Sequence, residues 1–235
     1  MKRPAAVIGI ALAAVLALGL AAVVIGSLSR SSSGPDSGPI SGPLRGLRSA
    51  SFEVLDGAAS VRVRAASLGD DLYRVRVSSS SDAGSEPGVD RDGGEVRLRV
   101  GGGDAVVDVL LNSSVTWTLR MTGGARDMRI DMSGAATDQI SLAGGASLID
   151  VALARPSRVV AVAMTGGVDQ FRVRLPAGTP VRVTASAGAG TVTLFGQTHQ
   201  GVAGGQSFTA NGWSDAAPGV DVQARAGAGV VIVGP

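Results

Sequence analysis

Few side chains in this chain are equipped for chemistry. Among 235 residues there is one histidine and no cysteine. His199, with Ser207 and Asp215 nearby in sequence, groups a general base with a hydroxyl and a carboxylate, but the Gly-x-Ser-x-Gly turn that would present a nucleophilic serine is missing. Ser-x-x-Lys, His-Glu-x-x-His and the phosphate-cradling Gly-x-x-x-x-Gly-Lys are also missing. The lack of cysteine excludes disulfides, thiolate nucleophiles, iron–sulfur clusters and cysteine-based zinc sites, and a single histidine excludes a multi-histidine metal centre. Gly101-Gly102-Gly103-Asp104 and Gly123-Gly124-Ala125-Arg126-Asp127 have the flavour of calcium repeats, yet Arg126 sits where those need a glycine and would oppose the ion. They are expected to be turns. The chain is therefore expected to be non-catalytic, with no catalytic residue, no metal and no cofactor.

Recognition is the remaining chemistry. The residues best suited to it cluster in one segment, where His199, Phe208, Asn211 and Trp213 form the candidate partner-contact site. Arginines such as Arg62, Arg64, Arg74, Arg76, Arg172 and Arg174 alternate with apolar residues and invite an anionic partner, but acids are interleaved among them and a solvated strand face is the simpler reading. The formal net charge of +2 has a local origin. Lys2, Arg3 and Arg30 flank one apolar run, and from Ser31 onward 18 arginines face all 19 acids. The body is thus near neutral, and with only four Phe, two Trp and one Tyr it lacks a base-stacking surface. No nucleic-acid partner is expected.

Ala5 to Gly26 contains only Ala, Val, Leu, Ile and Gly. As a helix, those residues span roughly 33 Å at ~1.5 Å each, the thickness of a bilayer core. Residues 1–30 are accordingly expected to form a single-pass transmembrane signal-anchor, with Lys2 and Arg3 keeping the N-terminus cytoplasmic. The alternative is a cleaved signal peptide, whose apolar core is usually shorter. Both routes export the body. Residues 31–47 are Ser/Gly/Pro-rich and read as a linker.

The rest must supply the scaffold. Apolar residues alternate with polar ones, as in Val61-Arg62-Val63-Arg64, which is the period of strands with one buried face. Small-residue corners recur. Apolar residues lie seven, five and three positions before Gly103 (Val96, Leu98, Val100) and four, six and eight after it (Val107, Val109, Leu111). The same offsets work around Gly124, Gly145, Gly167 and Gly188, spaced 21, 21, 22 and 21 residues apart, with Asp138 as the polar exception. A further copy surrounds Gly227 after a gap of 39, and a looser one follows Gly69. The pattern predicts an all-β fold, a single-stranded β-solenoid of six to seven coils over 48–235, with 197–218 an insertion or degenerate coil. A meander of hairpins is the competing fold. Outward residues Asp108, Arg129, Asp150, Arg172 and Thr193, five after each corner glycine, alternate in sign at first, which favours stacked neighbours.

Two stretches carry a resemblance. Phe52-Glu53-Val54-Leu55-Asp56-Gly57 with Val61-Arg62-Val63, and Val168-Asp169-Gln170-Phe171-Arg172-Val173-Arg174-Leu175 running on to Val181, resemble the bacterial putative-adhesin domain of the toastrack type, with an actinobacterial residue bias. The resemblance covers about 48–235 and implies an exported β-solenoid without shared catalytic residues. The expected function is an anchored extracytoplasmic interaction, scaffolding or envelope-sensing module, or else a secreted adhesin-like module. Its expected partners are the membrane, crossed once, and an envelope protein or wall polymer.

Overall fold

The structure, a computed structural model, describes residues 38–79 and 86–235. Every regular element in it is a strand. The first seven are β1 (Ile40–Pro43), β2 (Ser49–Val54), β3 (Ala58–Ala66), β4 (Asp71–Ser78), β5 (Gly88–Asp92), β6 (Glu95–Arg99) and β7 (Val106–Asn112). The middle of the chain supplies β8 (Thr116–Met121), β9 (Ala125–Met132), β10 (Thr137–Leu142), β11 (Ala146–Leu153), β12 (Val159–Met164) and β13 (Val168–Arg174). The last six are β14 (Val181–Ala185), β15 (Ala189–Leu194), β16 (Gln197–Val202), β17 (Gln206–Ala210), β18 (Gly219–Ala224) and β19 (Ala228–Gly234).

Alternation gives most of the repeat strands one buried face of mainly Val, Leu, Ile, Met or Ala, and these inner faces merge into one core cluster. The strands form two mixed sheets, one of ten and one of nine. Consecutive repeat strands change sheet at each corner, so β8 and β9, β10 and β11, and β12 and β13 each contribute one strand to each sheet. Equivalent strands pair parallel and in register, as with Ile149 beside Met128 on one side and Phe171 on the other. Trp117, Phe52 and Phe171 are fully buried between the sheets.

The corner glycines owe their identity to close approach. Gly123, Gly144 and Gly166 keep ordinary backbone angles, but a Cβ on Gly166 would lie 2.5 Å from the Gly144 carbonyl carbon and the Gly145 nitrogen. The corners are laced together by backbone bonds, Ala125 N–H to Gly145 O (3.1 Å) and Ala146 N–H to Gly167 O (3.1 Å) among them.

Sequence order and spatial order differ at both ends. β6–β7 lies outside β2–β3, and β18–β19 is inserted between β12–β13 and β14–β15. The expected ladder is changed accordingly. Arg129, Asp150 and Arg172 are register neighbours, but Arg62 of β3 stands between Asp108 and Arg129. Ile232 of β19 separates Arg172 from Thr193. Asp150 closes its ion pair diagonally with Arg174, at 2.9 Å.

The structure bears on three further expectations. The looser repeat after Gly69 is not a coil, since β4 runs antiparallel to β7 and to β1 as an end cap. The corner that completes the series is Asp56-Gly57. Ile40–Pro43, inside the expected linker, is a strand. The expected insertion over 197–218 supplies the opposite cap, β16 antiparallel to β15 in one sheet and β17 antiparallel to β14 in the other. The transmembrane expectation over 1–30 lies outside the described residues, among which no helix is long and apolar enough to cross a membrane.

Candidate functional site

The four residues singled out in sequence separate into two pairs. β16 places His199 opposite Val192, and β17 places Phe208 opposite Val183, so both face between the sheets at the C-terminal end. Their rings stack with centroids 4.3 Å apart and planes inclined by 24°. Phe208 is half-buried and His199 exposed, so the pair stoppers the core. No hydroxyl–histidine–carboxylate grouping forms, because Ser207 points the other way and bonds Thr184 at 2.9 Å.

Asn211 and Trp213 instead pin the loop that leads out of the cap. Asn211, at φ 55°, donates from Nδ2 to Thr179 O at 3.0 Å. Trp213 covers Gly219, where any Cβ would meet its ring, and the Arg182 guanidinium lies 5.1 Å from its ring centroid. Arg182 grips Asp221 with two bonds, at 2.9 and 3.1 Å, and reaches Asp215 at 2.8 Å. Burial pushes the Asp221 carboxyl upward, but the Arg182 and Gln223 hydrogen bonds and the Arg182 and Arg225 charges outweigh it, leaving the group below its ordinary value. The hydrogen bonds and charges of Asp221 and Asp215 in turn raise Arg182, against the effect of burial.

A depressed carboxylate contributes stability that is present above its unfolded value and lost as the pH falls through its folded value. Asp221→Asn should cost about 1.5–3 kcal/mol near pH 7. The difference from wild type should begin to shrink as the pH falls below about 4, the unfolded range, and vanish only once it has fallen through the lower folded value. Urea titrations at pH 7 and pH 3 check this, and a gap undiminished at pH 3 would refute the ion-pair account.

A second site was illegible in sequence. Asp138, the polar exception in the repeat, sits at a bulge where the register of β10 on β8 slips between Thr137 and Gln139. The slip lets Thr137 take the inward place opposite Trp117 and turns Asp138 out to solvent, where it pairs with Arg158 at 3.3 Å. Bulges re-aim side chains in this way and are common beside functional sites. Thr137 is 8% exposed, and its buried hydroxyl has no hydrogen-bond partner.

Thr137 lines a small recess of about 80 Å³ together with Ala135, Ala136, Pro156 and Ser157. Thr116 and Arg158 are shared with an open depression of about 450 Å³ floored by Ser49, Ser51, Gly94 and Thr118. Small side chains on β2 and β8 create the hollow, since Ser49 and Ser51 lie in register beside Thr116 and Thr118. The depression offers several hydroxyls, one carboxylate and one guanidinium on a floor without bulky residues. Among the described residues there is no group of three or more potential metal ligands.

No family model matches the chain, and no curated protein matches it. Among solved structures, it is similar to a protein from Clostridium sporogenes described as a putative cell adhesion protein, with a TM-score of 0.59 at 17% identity. That likeness covers 84% of this chain and 100% of the other, and at this identity it is a likeness of fold.

Proposed function

We propose that the chain is a non-catalytic interaction module of the cell envelope, a β-solenoid held outside the membrane by its N-terminal apolar segment. The solenoid reading rests on the in-register parallel pairing of equivalent strands. The exported, anchored topology rests on the run from Ala5 to Gly26 and its flanking cations. The adhesin-like fold neighbour fits a binding role.

The observation that carries the reading is the polar depression at the β10 bulge. Neighbouring serines and threonines both donate and accept, and the Asp138–Arg158 pair adds a charged acceptor and donor. That set suits a hydroxyl-rich wall polymer rather than a strongly charged one.

The full chain should be retained by isolated envelope polysaccharide. Thr118→Trp, which fills the hollow, and Arg158→Ala should each reduce retention at least tenfold while leaving the melting temperature nearly unchanged. Unaltered retention of both variants would remove the depression from the mechanism. Cell fractionation tests the anchor separately, because release into the medium with a new N-terminus near Ala21 would favour the secreted module.

A further inference from the structure

The two ends of the stack are defended differently against strand addition. Open sheet edges pair with other chains unless charge, proline or a bulge blunts them. At the N-terminal end, edge strand β1 ends in Pro43 with a register slip between Gly42 and Pro43. The other edge there, β5, carries Asp90, Arg91 and Asp92. At the C-terminal end, edge strands β16 (QTHQGV) and β17 (QSFTA) carry no charge, no proline and no register slip. Both are last in their sheets, and Gln197, Thr198, Gln200, Ser207 and Thr209 are exposed.

We infer that this end is a homodimer interface, in which β16 and β17 each pair antiparallel with the same strand of a second copy. A single extended peptide could satisfy one of the two edges. Satisfying both requires a partner with two edges at the inter-sheet spacing, ~10 Å apart, and the same end of another copy has that spacing by construction. One two-fold axis normal to the sheets reverses strand direction and joins β16 to β16 and β17 to β17 together. Self-pairing sets like against like, so charged side chains on these strands would repel their own copies, and there are none.

The His199–Phe208 stack, exposed at His199 and half-buried at Phe208, would meet its counterpart and become interior. The blunted far ends close the assembly at two copies. The joined rod of 20 strands would be roughly 95 Å long at ~4.8 Å per strand, with the two β1 strands at opposite ends. This inference is independent of the polymer reading above.

The absence of native cysteine makes the test clean. The full chain is prepared in membranes with single cysteines at Thr198, Gln200, Ser207 or Thr209, and with Asp92→Cys as the far-end control, then oxidised. The expected result is a disulfide-linked band of twice the chain mass for one or more positions on each of β16 and β17, and none for Asp92→Cys. Adding Gln200→Lys and Thr209→Lys should cut that band at least tenfold while circular dichroism and melting temperature show a folded chain. Absence of linked dimer at all four positions overturns the inference, as does equal linking through Asp92→Cys. Linked bands of any other mass would place a different protein on the edge and overturn it too.

Discussion

Gly144→Ala is expected to lower the melting temperature by at least 6 °C, whereas Gly103→Ala should leave it within about 2 °C of wild type. By sequence alone both glycines sit in repeat corners, Gly103 at the reference position and Gly144 one residue before the reference Gly145. Their surroundings differ. A Cβ on Gly144 would overlap the carbonyl of Gly123 and the nitrogen of Gly124, whereas a Cβ on Gly103 meets nothing within 4 Å. Neither has a positive φ, so the contrast isolates close approach between neighbouring corners from backbone preference.

Backbone cannot rotate out of the way as a long side chain can. The neighbouring strands must separate, which loosens the bonds from Ala143 N–H to Met121 O (2.8 Å) and from Ala125 N–H to Gly145 O (3.1 Å). Overpacking typically costs about 1–3 kcal/mol, and two weakened bonds add roughly 1 kcal/mol each. A total above about 3 kcal/mol corresponds to ~6–12 °C for a domain of this size. At Gly103, alanine narrows the unfolded ensemble without a clash, a change worth up to ~1 kcal/mol in favour of folding. Thermal melts of the two variants decide the matter, and similar melting temperatures would remove the close-approach account of the corners.

That pair of glycines also shows what a sequence of this kind can reveal. Alternation and corner spacing identify which residues face inward, because period 2 is a local property of each strand. They do not say which strand lies alongside. β18–β19 carries the same pattern as β14–β15 and pairs with it equally well, so only the three-dimensional packing shows that the later pair sits inside the earlier one. The charge alternation misled for the same reason, since Arg62 belongs between Asp108 and Arg129 although it lies far from both in sequence. His199, Phe208, Asn211 and Trp213 were legible as unusual, and they are: two close the end of the core and two secure the loop beyond it. The bulge at Asp138 was visible only as one residue out of pattern. A one-residue slip and a polar substitution look identical until the neighbouring strand is known.

Asn112→Asp is expected to be the most damaging isosteric change in the described body. Asn112 is 3% exposed and closes β7 beside the tight turn into β8. Its Nδ2 donates to Gly69 O at 3.0 Å and to Asp71 O at 2.7 Å, tying this turn to the one between β3 and β4. Its Oδ1 accepts from the Ser114 backbone N–H at 3.0 Å and from the Ser114 hydroxyl at 2.8 Å. The backbone carbonyl of Asn112 receives the indole N–H of fully buried Trp117 at 2.9 Å. The amide is saturated, with both donors and its oxygen in use.

A carboxylate in its place keeps the size but reverses the polarity facing two carbonyls. Two donor bonds are lost and a buried charge meets two partial negative charges, a combination expected to cost at least 3 kcal/mol, in the range measured when one partner of a buried polar arrangement is removed. Asn112→Ala should cost less, about 2–3 kcal/mol, because it leaves unpaired carbonyls without adding charge. The two variants separate again with pH. The introduced carboxyl is destabilised when ionised, so its folded-state value lies above its unfolded one, and the penalty shrinks as pH falls through the folded value. Denaturant titrations at pH 7 and pH 4 should show Asn112→Asp recovering relative to Asn112→Ala at the lower pH. If Asn112→Asp is no less stable than Asn112→Ala at neutral pH, the amide is not donating to both carbonyls, and the link between the two turns must come from packing around Trp117 alone.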